Sequence, residues 1–538
     1  MVGLATVFGS GAMTNSVSEI ENNDLLFVIG SNTTEAHPAI GLKMKKAIRK
    51  GARLIVADPR RIDLVRFAHL WLQQRPGTDV ALLNSMMHVI LKEGLEDREF
   101  IKNWTEGFEE FKNSLSEFTP EVGEKIAGVP KDKIIEAALL YGNAERPGIY
   151  YTMGMTQHTH GTDNVYSIAN LALMTGNLGK EFSGVNPLRG QNNVQGSSDM
   201  GCSPNLYPGY QSVDMPAIKE KFERAWGIKL SEKIGLTATE MIDAAISGNL
   251  KAMYIMGGDF ALSVPDTTRA IEALKKLDFL IVQDIFLTET ASLADVVLPA
   301  ASFAEKNGTF TNTERRVQRV RKAINPPGDA KEDSRIIIEL SKRFGYEMRY
   351  NFIEEVFQEI GMLWPAVAGI TYSRIEKRGL QWPCPTLDHP GTQYLFKGGF
   401  PRGSGKGRFT SVKYRPSAEL PDNEYPFILS TGRQLFQYHT GSMTGKTSAI
   451  EEIASQPYVE INPEDAKKLG ISDGQKIKVS SRRGTIEPFA RISERPLKGM
   501  VFIAFHYKEA AANVLTNTAL DPICKTPELK VCAVKVEL

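Results

Sequence analysis

The chain has 538 residues, enough for two to four domains with buried cores. Its 64 lysines and arginines balance 63 aspartates and glutamates, so a nucleic-acid or anionic-membrane partner is not indicated. No apolar run approaches the roughly 18 residues that a membrane span needs, and no basic residue precedes Lys43 to suggest a secretory signal. Four scattered cysteines without a CxxC pair exclude a self-contained iron–sulfur or zinc-thiolate site of ordinary spacing, and they favour a cytoplasmic protein.

Residues 24–94 predict alternating strands and helices. DLLFVIG is an apolar run of strand length that Gly30 ends, and SNTTEAHP then supplies capping side chains for a helix. RLIVADPR predicts a second buried strand, and TDVALLNSMMHVILKEG predicts a second helix with apolar residues at helical spacing. Strands that are apolar on both faces and joined by helices indicate a parallel sheet.

The same arrangement returns further along, in KAMYIMGGD and FLIVQDIF. Gly30 and Asp58 are 28 positions apart, and Gly257 and Asp284 are 27 apart. In doubly wound folds, a glycine at one strand end lets the phosphates of a dinucleotide approach backbone N–H groups, and an acidic residue at the next strand end bonds the ribose or base. Any α/β protein can place glycine and aspartate at strand ends, so the repeat alone leaves a purely structural interpretation open.

The C-terminal part has a different character. The stretch YRPSAELPDNEYP (414–426) is rich in proline and charge and predicts a linker. After it come the short strand patterns PFILSTG, YVEI, QKIKVSS, MVFIAF and KVCAVKVEL, with few helices, of which NPEDAKKLG has an asparagine cap and a closing glycine. This pattern predicts a mostly β, barrel-like domain.

One segment, NPLRGQNNVQGSSDMG (186–201), combines an arginine and five amide side chains with glycines and shows no helical or strand period. Arginine is suited to holding a carboxylate through two parallel hydrogen bonds, and glycines allow the main chain to approach a ligand. Two more polar loops, YYTMGMTQHTHG and LMTGNLGKEFSG, precede it. Together they predict a large polar cofactor beside a small anion; three solvated loops are the alternative, because Asn and Gly are ordinary turn residues.

MGMTQHTHG, LMTGNLGKEFSGVNPLRGQNNVQGSSDMG and YPGYQSV resemble the catalytic (alpha) subunit of molybdenum- or tungsten-dependent formate dehydrogenases, in the molybdopterin oxidoreductase family. IMGGD, VQDIFLTETASLADVVLPAASFAEKNGTFTNTERRVQR, GSMTG and LDPICKTPELKVCAVKVE extend the resemblance over essentially the whole chain. RGQNNVQG is typical of the formate dehydrogenase branch rather than of nitrate or sulfoxide reductases. The resemblance implies an α/β fold with two doubly wound, Rossmann-like dinucleotide-binding domains (1–190 and 191–415) and a C-terminal β-barrel of the double-psi type (422–538).

The resemblance also implies oxidation of formate to CO2 at a bis(molybdopterin guanine dinucleotide) centre with Mo or W, and transfer of two electrons to iron–sulfur partner subunits. Arg189 is expected to position formate and Gln191 to hydrogen-bond near the metal; a salt bridge between domains is the structural alternative for Arg189. The residues expected to contact the cofactor are Gly30, Ser31, Asn32, Asp58, Arg60, Gly77, Asp79, Met153, Gly154, Gln157, Gly257, Asp259, Gln283, Asp284, Ser292, Thr431, Arg433, Gln434, Tyr438, His439, Asn513, Asn517 and Lys530.

Four side chains near these loops have simpler interpretations. His158 and His160 form an HxH pair, but no third ligand lies nearby and the family does not bind metal through this loop, so we expect surface or loop-packing histidines. Met155 is expected to belong to the core. Met153 matches a cofactor-contacting position of the family, but its simpler interpretation is also a core residue.

Members of the family also carry a cysteine-rich [4Fe–4S] domain, a cysteine or selenocysteine metal ligand and an adjacent histidine, none of which occurs in this sequence. We therefore hypothesise that the sequence is the part of a longer gene downstream of an in-frame UGA codon for selenocysteine. On this hypothesis the upstream DNA contains that codon followed by a histidine codon, and the chain alone oxidises no formate. A truncated or diverged subunit is the alternative to this hypothesis. The alternatives to the formate dehydrogenase function are a non-catalytic cofactor-binding module and a related enzyme such as a nitrate reductase.

Overall fold

A computed structural model describes residues 1–538 and divides them into two compact units. Unit 1 comprises Met1–Leu188, Leu262–Thr268 and Tyr394–Leu538, and unit 2 comprises Arg189–Ala261 and Arg269–Gln393. The chain therefore passes between the units four times. The predicted division into three domains is a finer one and stays a prediction.

The strands are numbered in chain order. They are β1 Leu25–Ile29, β2 Arg53–Ala57, β3 Leu70–Leu72, β4 Thr105–Glu106, β5 Pro147–Tyr151, β6 Gly184–Pro187, β7 Leu206–Tyr207, β8 Gln211–Ser212, β9 Ala252–Met256, β10 Phe279–Asp284, β11 Val296–Pro299, β12 Gly308–Thr311, β13 Arg316–Val320, β14 Leu380–Gln381, β15 Gly407–Arg408, β16 Phe427–Gly432, β17 Tyr458–Ile461, β18 Lys478–Ser480, β19 Thr485–Ile486, β20 Phe489–Ile492, β21 Met500–Ala504 and β22 Cys532–Glu537.

The α-helices are numbered in the same way. They are α1 Val2–Phe8, α2 Thr33–Ala36, α3 Pro38–Arg49, α4 Asp79–Lys92, α5 Arg98–Trp104, α6 Phe108–Ser114, α7 Pro120–Ala127, α8 Lys131–Gly142, α9 Met153–Thr156, α10 Gly161–Met174, α11 Val194–Asp199, α12 Pro216–Trp226, α13 Ala238–Ile246, α14 Phe260–Ser263, α15 Thr267–Lys275, α16 Asp333–Arg343, α17 Ile353–Leu363, α18 Ser448–Ala454 and α19 Pro463–Leu469. None of these helices is both long and apolar enough to cross a membrane.

Unit 1 contains a five-stranded parallel sheet in the order β3-β2-β1-β5-β6. Every residue of β1 is buried, and its side chains alternate between two cores: Phe27 packs on one face, with α4 and α8, and Val28 on the other, with α3. Burial of each such side chain stabilises the fold by about 1.5–3 kcal/mol. The parallel sheet predicted from the apolar runs of residues 24–94 is confirmed.

The C-terminal part of unit 1 forms a seven-stranded mixed sheet in the order β19-β18-β22-β16-β21-β17-β20. A bridge between Lys476 and Phe489 joins the segment before β18 to β20, near the opposite end of this order, so the sheet curls. Helix α19 begins after Asn462, whose side chain accepts from the Glu464 N–H, and ends at Gly470 with φ 70°, as the sequence predicts.

Unit 2 contains three small sheets. Strands β9, β10 and β11 are parallel in the order β11-β10-β9, which confirms the second strand–helix–strand repeat. Strands β12, β13 and β14 form an antiparallel sheet, and β7 pairs with β8 as a hairpin.

Candidate cofactor and substrate sites

In unit 1, β1 and β5 end side by side and their connecting backbones touch. Gly30, with φ 55°, follows β1, and the Gly154 N–H donates to its carbonyl over 3.2 Å. A β-carbon added to Gly154 would lie 2.4 Å from that carbonyl oxygen, and one added to Gly30 would lie 2.9 Å from the backbone of Gly154. Only glycine fits at either position, and the close approach places the Ser31–Asn32 and Met153–Gln157 segments at the carboxyl edge of the sheet.

Asn32 has an unused donor at this edge. Its Oδ1 accepts from the Thr34 hydroxyl at 3.1 Å, but its buried Nδ2 has no hydrogen-bond partner within the protein. An unpaired buried donor costs about 1–3 kcal/mol, so this amide fits a ligand that supplies an acceptor, such as a phosphate oxygen at a strand end. Ser31 is buried beside it with its hydroxyl 3.1 Å from that of Thr33.

The end of β2 places a carboxyl group close to a lysine from the C-terminal segment. The Asp58 Oδ1 accepts from the Arg60 N–H at 2.9 Å, and burial raises the pKa of Asp58 to about 6 against the opposing effect of Arg60 and Lys530. Lys530 donates to the Thr431 carbonyl at 2.6 Å, and burial lowers the pKa of this lysine to about 8 although Asp58 favours its charged form. This half-desolvated lysine is suited to holding an anion.

Arg60 uses much of its guanidinium within the protein. Its Nη2 donates to Glu460 Oε2 at 2.7 Å, both side chains are buried, and the guanidinium lies 3.4 Å from the centre of the Phe502 ring. Arg60 therefore connects the parallel sheet to the C-terminal sheet, a structural role that the sequence did not predict. Its contact with the cofactor stays a prediction.

Gly77 and Asp79 lie before and at the start of α4. Gly77 has φ 79°, and a β-carbon there would lie 2.4 Å from the Ser417 hydroxyl. Asp79 is buried, accepts from Gln74 Nε2 at 3.0 Å, and has its pKa raised by burial. Both residues are thus packed tightly into unit 1.

His158 and His160 are buried, so the expectation of surface histidines is wrong and the alternative, loop packing, holds. His158 Nε2 lies 2.9 Å from the Gly154 carbonyl and its Nδ1 lies 3.6 Å from Glu528 Oε1. The two imidazole rings stack at 5.2 Å, and burial lowers the pKa of His160 to about 4. These contacts brace the loop, because they tie its glycine to the C-terminal segment.

That segment holds the loop at a second point as well. The Leu529 N–H donates to the Gln157 carbonyl at 3.1 Å. The preceding residue, Glu528, helps to hold this loop through His158; it was not predicted from the sequence, although it lies in the matched CKTPELK stretch. Met155 is fully buried, as expected, whereas Met153 is 48% exposed, so the interpretation of Met153 as core is wrong. Met153 instead presents apolar surface beside Gly154.

The segment after β16 carries a second group of predicted residues. Thr431 donates its hydroxyl to the Leu529 carbonyl at 2.8 Å. The Arg433 guanidinium lies 5.4 Å from the centre of the Tyr438 ring, and burial lowers the pKa of Arg433. His439 adopts φ 52°, and burial together with Arg433 lowers its pKa to about 4. A partly buried arginine next to an uncharged imidazole fits an anionic ligand group.

Three other predicted residues use their side chains to bond the protein. Gln434 donates to His506 Nε2 and to the Tyr507 hydroxyl, both at 2.9 Å. Asn513 Nδ2 donates to the Leu262 carbonyl at 2.8 Å, and Asn517 Nδ2 donates to the Val531 carbonyl at 3.0 Å. Their packing positions these segments, and their contact with a cofactor stays a prediction.

In unit 2, β9 ends at a glycine pair with open space around it. Gly257 has φ 64° and donates its N–H to the Gln283 carbonyl at 2.8 Å, and a β-carbon on Gly257 or Gly258 would meet no atom within 4 Å. Asp284, at the end of the neighbouring β10, accepts at Oδ1 from the Ile285 N–H at 2.7 Å, and burial raises its pKa. The glycine and the acid of the predicted repeat thus stand at adjacent parallel strand ends, where a dinucleotide fits.

The remaining predicted residues of unit 2 support this edge. Asp259 Oδ1 accepts from the backbone and hydroxyl of Thr290 at 3.1 and 2.6 Å. Gln283 is fully buried and donates to Asp333 Oδ1 at 2.6 Å, and the Ser292 hydroxyl donates to the Thr288 carbonyl at 2.9 Å. In this structure these side chains hold the loops in place.

Arg189 opens unit 2 and is half-buried. Its backbone N–H donates to the Thr313 hydroxyl at 3.0 Å, and its Nε donates to Gln195 Oε1 at 3.3 Å. Gln195 in turn contacts Asp199 and Tyr210, and Trp382 contacts Asp199. Sequence reasoning missed these four residues, although three of them lie in the matched segments; Trp382 lies in none.

Comparison with protein families agrees with this geometry. The model of the molybdopterin oxidoreductase family matches residues 4–343, well over half of the chain, and the model of the molydopterin dinucleotide binding domain matches residues 427–533. The chain belongs to the molybdopterin oxidoreductase family. The family membership predicted from the motifs is therefore confirmed, and a molybdopterin dinucleotide is its cofactor class.

Curated relatives span the whole chain. The F420-dependent formate dehydrogenase subunit alpha of Methanocaldococcus jannaschii is 54% identical over all of this chain and 80% of its own length. Formate dehydrogenase H of Escherichia coli is 43% identical over all of this chain and 76% of its own length. Among solved structures, acetylene hydratase from Pelobacter acetylenicus matches 99% of this chain and 80% of its own with a TM-score of 0.79 and 21% identity, a likeness of fold alone.

Proposed function

We propose that the chain is the catalytic subunit of a formate dehydrogenase, which oxidises formate to CO2. The observation that carries the proposal is Arg189, a guanidinium held at Nε by the buried Gln195, in a chain 54% identical throughout to a formate dehydrogenase alpha subunit. Arginine matches the planar geometry of a carboxylate, and formate is the smallest carboxylate.

The residues of each unit fit one molybdopterin guanine dinucleotide. In unit 1, Gly30 and Asn32 offer a close backbone approach and an unused amide donor, and Lys530 and Arg433 offer partly desolvated positive charge. In unit 2, Gly257 and Asp284 offer an open strand end and an acceptor for a ribose or base. We propose that the curled C-terminal sheet is the double-psi barrel of the family. When bound, the group supplies Mo or W as the acceptor of two electrons.

The protein contributes positioning and charge to the reaction. Arg189 would hold the formate oxygens and thereby fix the direction of the C–H bond, and Gln191 would hydrogen-bond beside it. Oxidation of HCOO⁻ yields CO2, one proton and two electrons, so the product carries no charge for the guanidinium to bind. Loss of that charge therefore weakens the hold of Arg189 on the product and favours its release. The electrons then pass to iron–sulfur partner subunits.

Substitution of Arg189 tests this function in the cofactor-loaded enzyme that contains this chain, with formate-dependent reduction of a viologen dye as the assay. Arg189→Ala removes a bidentate charged contact and is expected to lower kcat/KM for formate by about 100-fold or more. Arg189→Lys keeps the charge but not the planar fork, so we expect a raised KM. Arg66→Ala, at an exposed arginine of unit 1, is the control. Formate turnover by Arg189→Ala equal to that of the control contradicts the proposal.

A further inference from the structure

We infer that Asp199 is a positioning residue for Arg189 and acts through the side chain of Gln195. The inference rests on the proposed function, because it concerns how the arginine is aimed at its carboxylate substrate. Every residue in the argument belongs to unit 2.

Asp199, the last residue of α11, is a carboxylate only 1% exposed and surrounded by donors. Its Oδ1 accepts from the Tyr210 hydroxyl at 2.6 Å and from Gln195 Nε2 at 2.8 Å, and its Oδ2 accepts from the Trp382 indole N–H at 2.9 Å. The Trp364 ring packs against both aromatic partners, at 6.2 Å from Tyr210 and 5.4 Å from Trp382. Both oxygens of the acid are thus fixed in an apolar cage.

This carboxylate decides which way the Gln195 amide points. Gln195 is fully buried, and its Nε2 donates to Asp199 and also to the Tyr210 oxygen at 2.8 Å. An ionised carboxylate only accepts hydrogen bonds, so it must face the NH2 side of the amide. The oxygen of the amide then faces the other way, towards Arg189 Nε at 3.3 Å. The negative charge of Asp199 is thereby converted into a fixed acceptor for the arginine.

The local backbone and the burial of the acid both indicate a specific role. Tyr210 adopts φ 62°, a left-handed conformation that a tyrosine rarely adopts, and this places its hydroxyl on Asp199. A β-carbon on the preceding Gly209 would lie 2.5 Å from the Trp364 ring. Burying a carboxylate is unfavourable, and burial accordingly raises the pKa of Asp199 to about 6. Replacing buried ionic groups by well-packed apolar side chains is often neutral or stabilising, so packing alone does not account for an acid at this position.

An exchange of amide and carboxylate tests the inference. In Asp199→Asn, the new amide can accept from the Trp382 indole only if its NH2 faces Gln195, and Gln195 can then bond residue 199 only by turning its own NH2 toward Arg189. The opposite orientation would leave the buried indole N–H facing a donor. In Gln195→Glu, two carboxylates meet. In the double variant, the carboxylate now at position 195 accepts from Arg189 and from the amide now at position 199, and every donor again meets an acceptor.

We measure kcat and KM for formate in the cofactor-loaded enzyme, together with metal content and crystal structures of each variant. Each single variant is expected to lower kcat/KM by about 10- to 100-fold, the effect of one charged hydrogen bond. The double variant is expected to recover most of this loss. In the crystal structures the contact between Arg189 Nε and an oxygen of residue 195 is expected to break in Asp199→Asn and to return in the double variant.

Glu359→Gln is the matched control. Glu359 accepts from the Trp226 indole at 2.9 Å and from the Tyr350 hydroxyl at 2.5 Å, the same two donor types that bond Asp199, but it makes no contact with Gln195. This variant is expected to keep the formate kinetics of the parent enzyme. If a single variant does not accumulate as folded protein, Tyr210→Phe removes one bond to the acid and is expected to lower kcat/KM by a smaller factor.

Failure of this inference and failure of the proposed function give different results. If Arg189→Ala abolishes formate turnover while Asp199→Asn, or Tyr210→Phe in its place, behaves like the Glu359→Gln control, the role of Asp199 is refuted and the function stands. A double variant no better than the worse single variant refutes it as well. If Arg189→Ala retains formate turnover, the proposed function fails first.

Discussion

Glu460 of β17 joins the C-terminal sheet to the end of β2, and its replacement by glutamine measures what this link contributes. Its Oε2 accepts from Arg60 at 2.7 Å and its Oε1 accepts from Arg495 at 3.3 Å. Glu460 is 1% exposed and Arg60 is 7% exposed. Glutamine keeps the shape and one acceptor but removes the charge that balances two arginines.

The expected loss follows from burial. Removing one partner of a buried ion pair typically costs about 3–5 kcal/mol, because the other charge stays out of water. The guanidinium of Arg60 is already incompletely paired, since its buried Nε lacks a hydrogen-bond partner within the protein and its face lies on the Phe502 ring. For a unit of the size of unit 1, with an unfolding entropy of about 2.1 cal/mol/K per residue, the loss corresponds to a fall of about 4–7 °C in Tm.

Urea and thermal unfolding of the cofactor-free chain, followed by circular dichroism, provide the assay. Glu494→Gln is the matched control, because Glu494 pairs with the neighbouring Arg61 at 3.4 Å but the two side chains are 80% and 54% exposed. An exposed pair contributes about 0–1 kcal/mol, so this control is expected to lose less than about 1 kcal/mol. Equal losses in the two variants would refute the argument that burial makes the first pair important.

Three further predictions concern the strand ends. Gly154→Ala places a β-carbon 2.4 Å from the Gly30 carbonyl, so we expect a loss of about 1–3 kcal/mol in urea unfolding even without cofactor. The β-carbon added by Gly258→Ala meets no atom within 4 Å, so the cofactor-free chain is expected to keep its stability. The amount of bound guanine dinucleotide, measured by chromatography after denaturation, is expected to fall. An unchanged amount contradicts a ligand at this edge. Asp58 has its pKa raised from 3.8 to about 6 by burial, so its contribution to stability is complete below about pH 3.8 and is lost as the pH rises through 6. In cofactor-free unfolding, the free energy of unfolding of Asp58→Asn is therefore expected to exceed that of the parent by up to about 3 kcal/mol at pH 8 and to equal it near pH 4. The absence of this pH dependence contradicts the raised pKa.

The sequence was sufficient to predict elements that depend on local pattern. The strands β1, β2, β9 and β10 are apolar runs ended by glycine or aspartate, and α19 has a cap at each end. Such signals come from neighbouring residues, so a single sequence contains them. The residues at these strand ends, such as Gly30 and Asp284, were predicted for the same reason.

Partners that are distant in the sequence could not be predicted. Nothing near Arg60 indicates Glu460, 400 positions away, and nothing near Asp199 indicates Trp382. The burial of His158 follows from Glu528, which lies 370 positions further along the chain. The inclusion of Leu262–Thr268 in unit 1 rests on contacts of the same kind, among them the bond from Asn513 to Leu262.

The position of β22 bears on how the protein is made. This strand, Cys532–Glu537, lies between β18 and β16, so the seven-stranded sheet stays open between these two strands until translation has passed residue 537. A nascent chain on the ribosome therefore exposes the facing edges of β18 and β16, and such unpaired edges favour aggregation until β22 pairs with both strands.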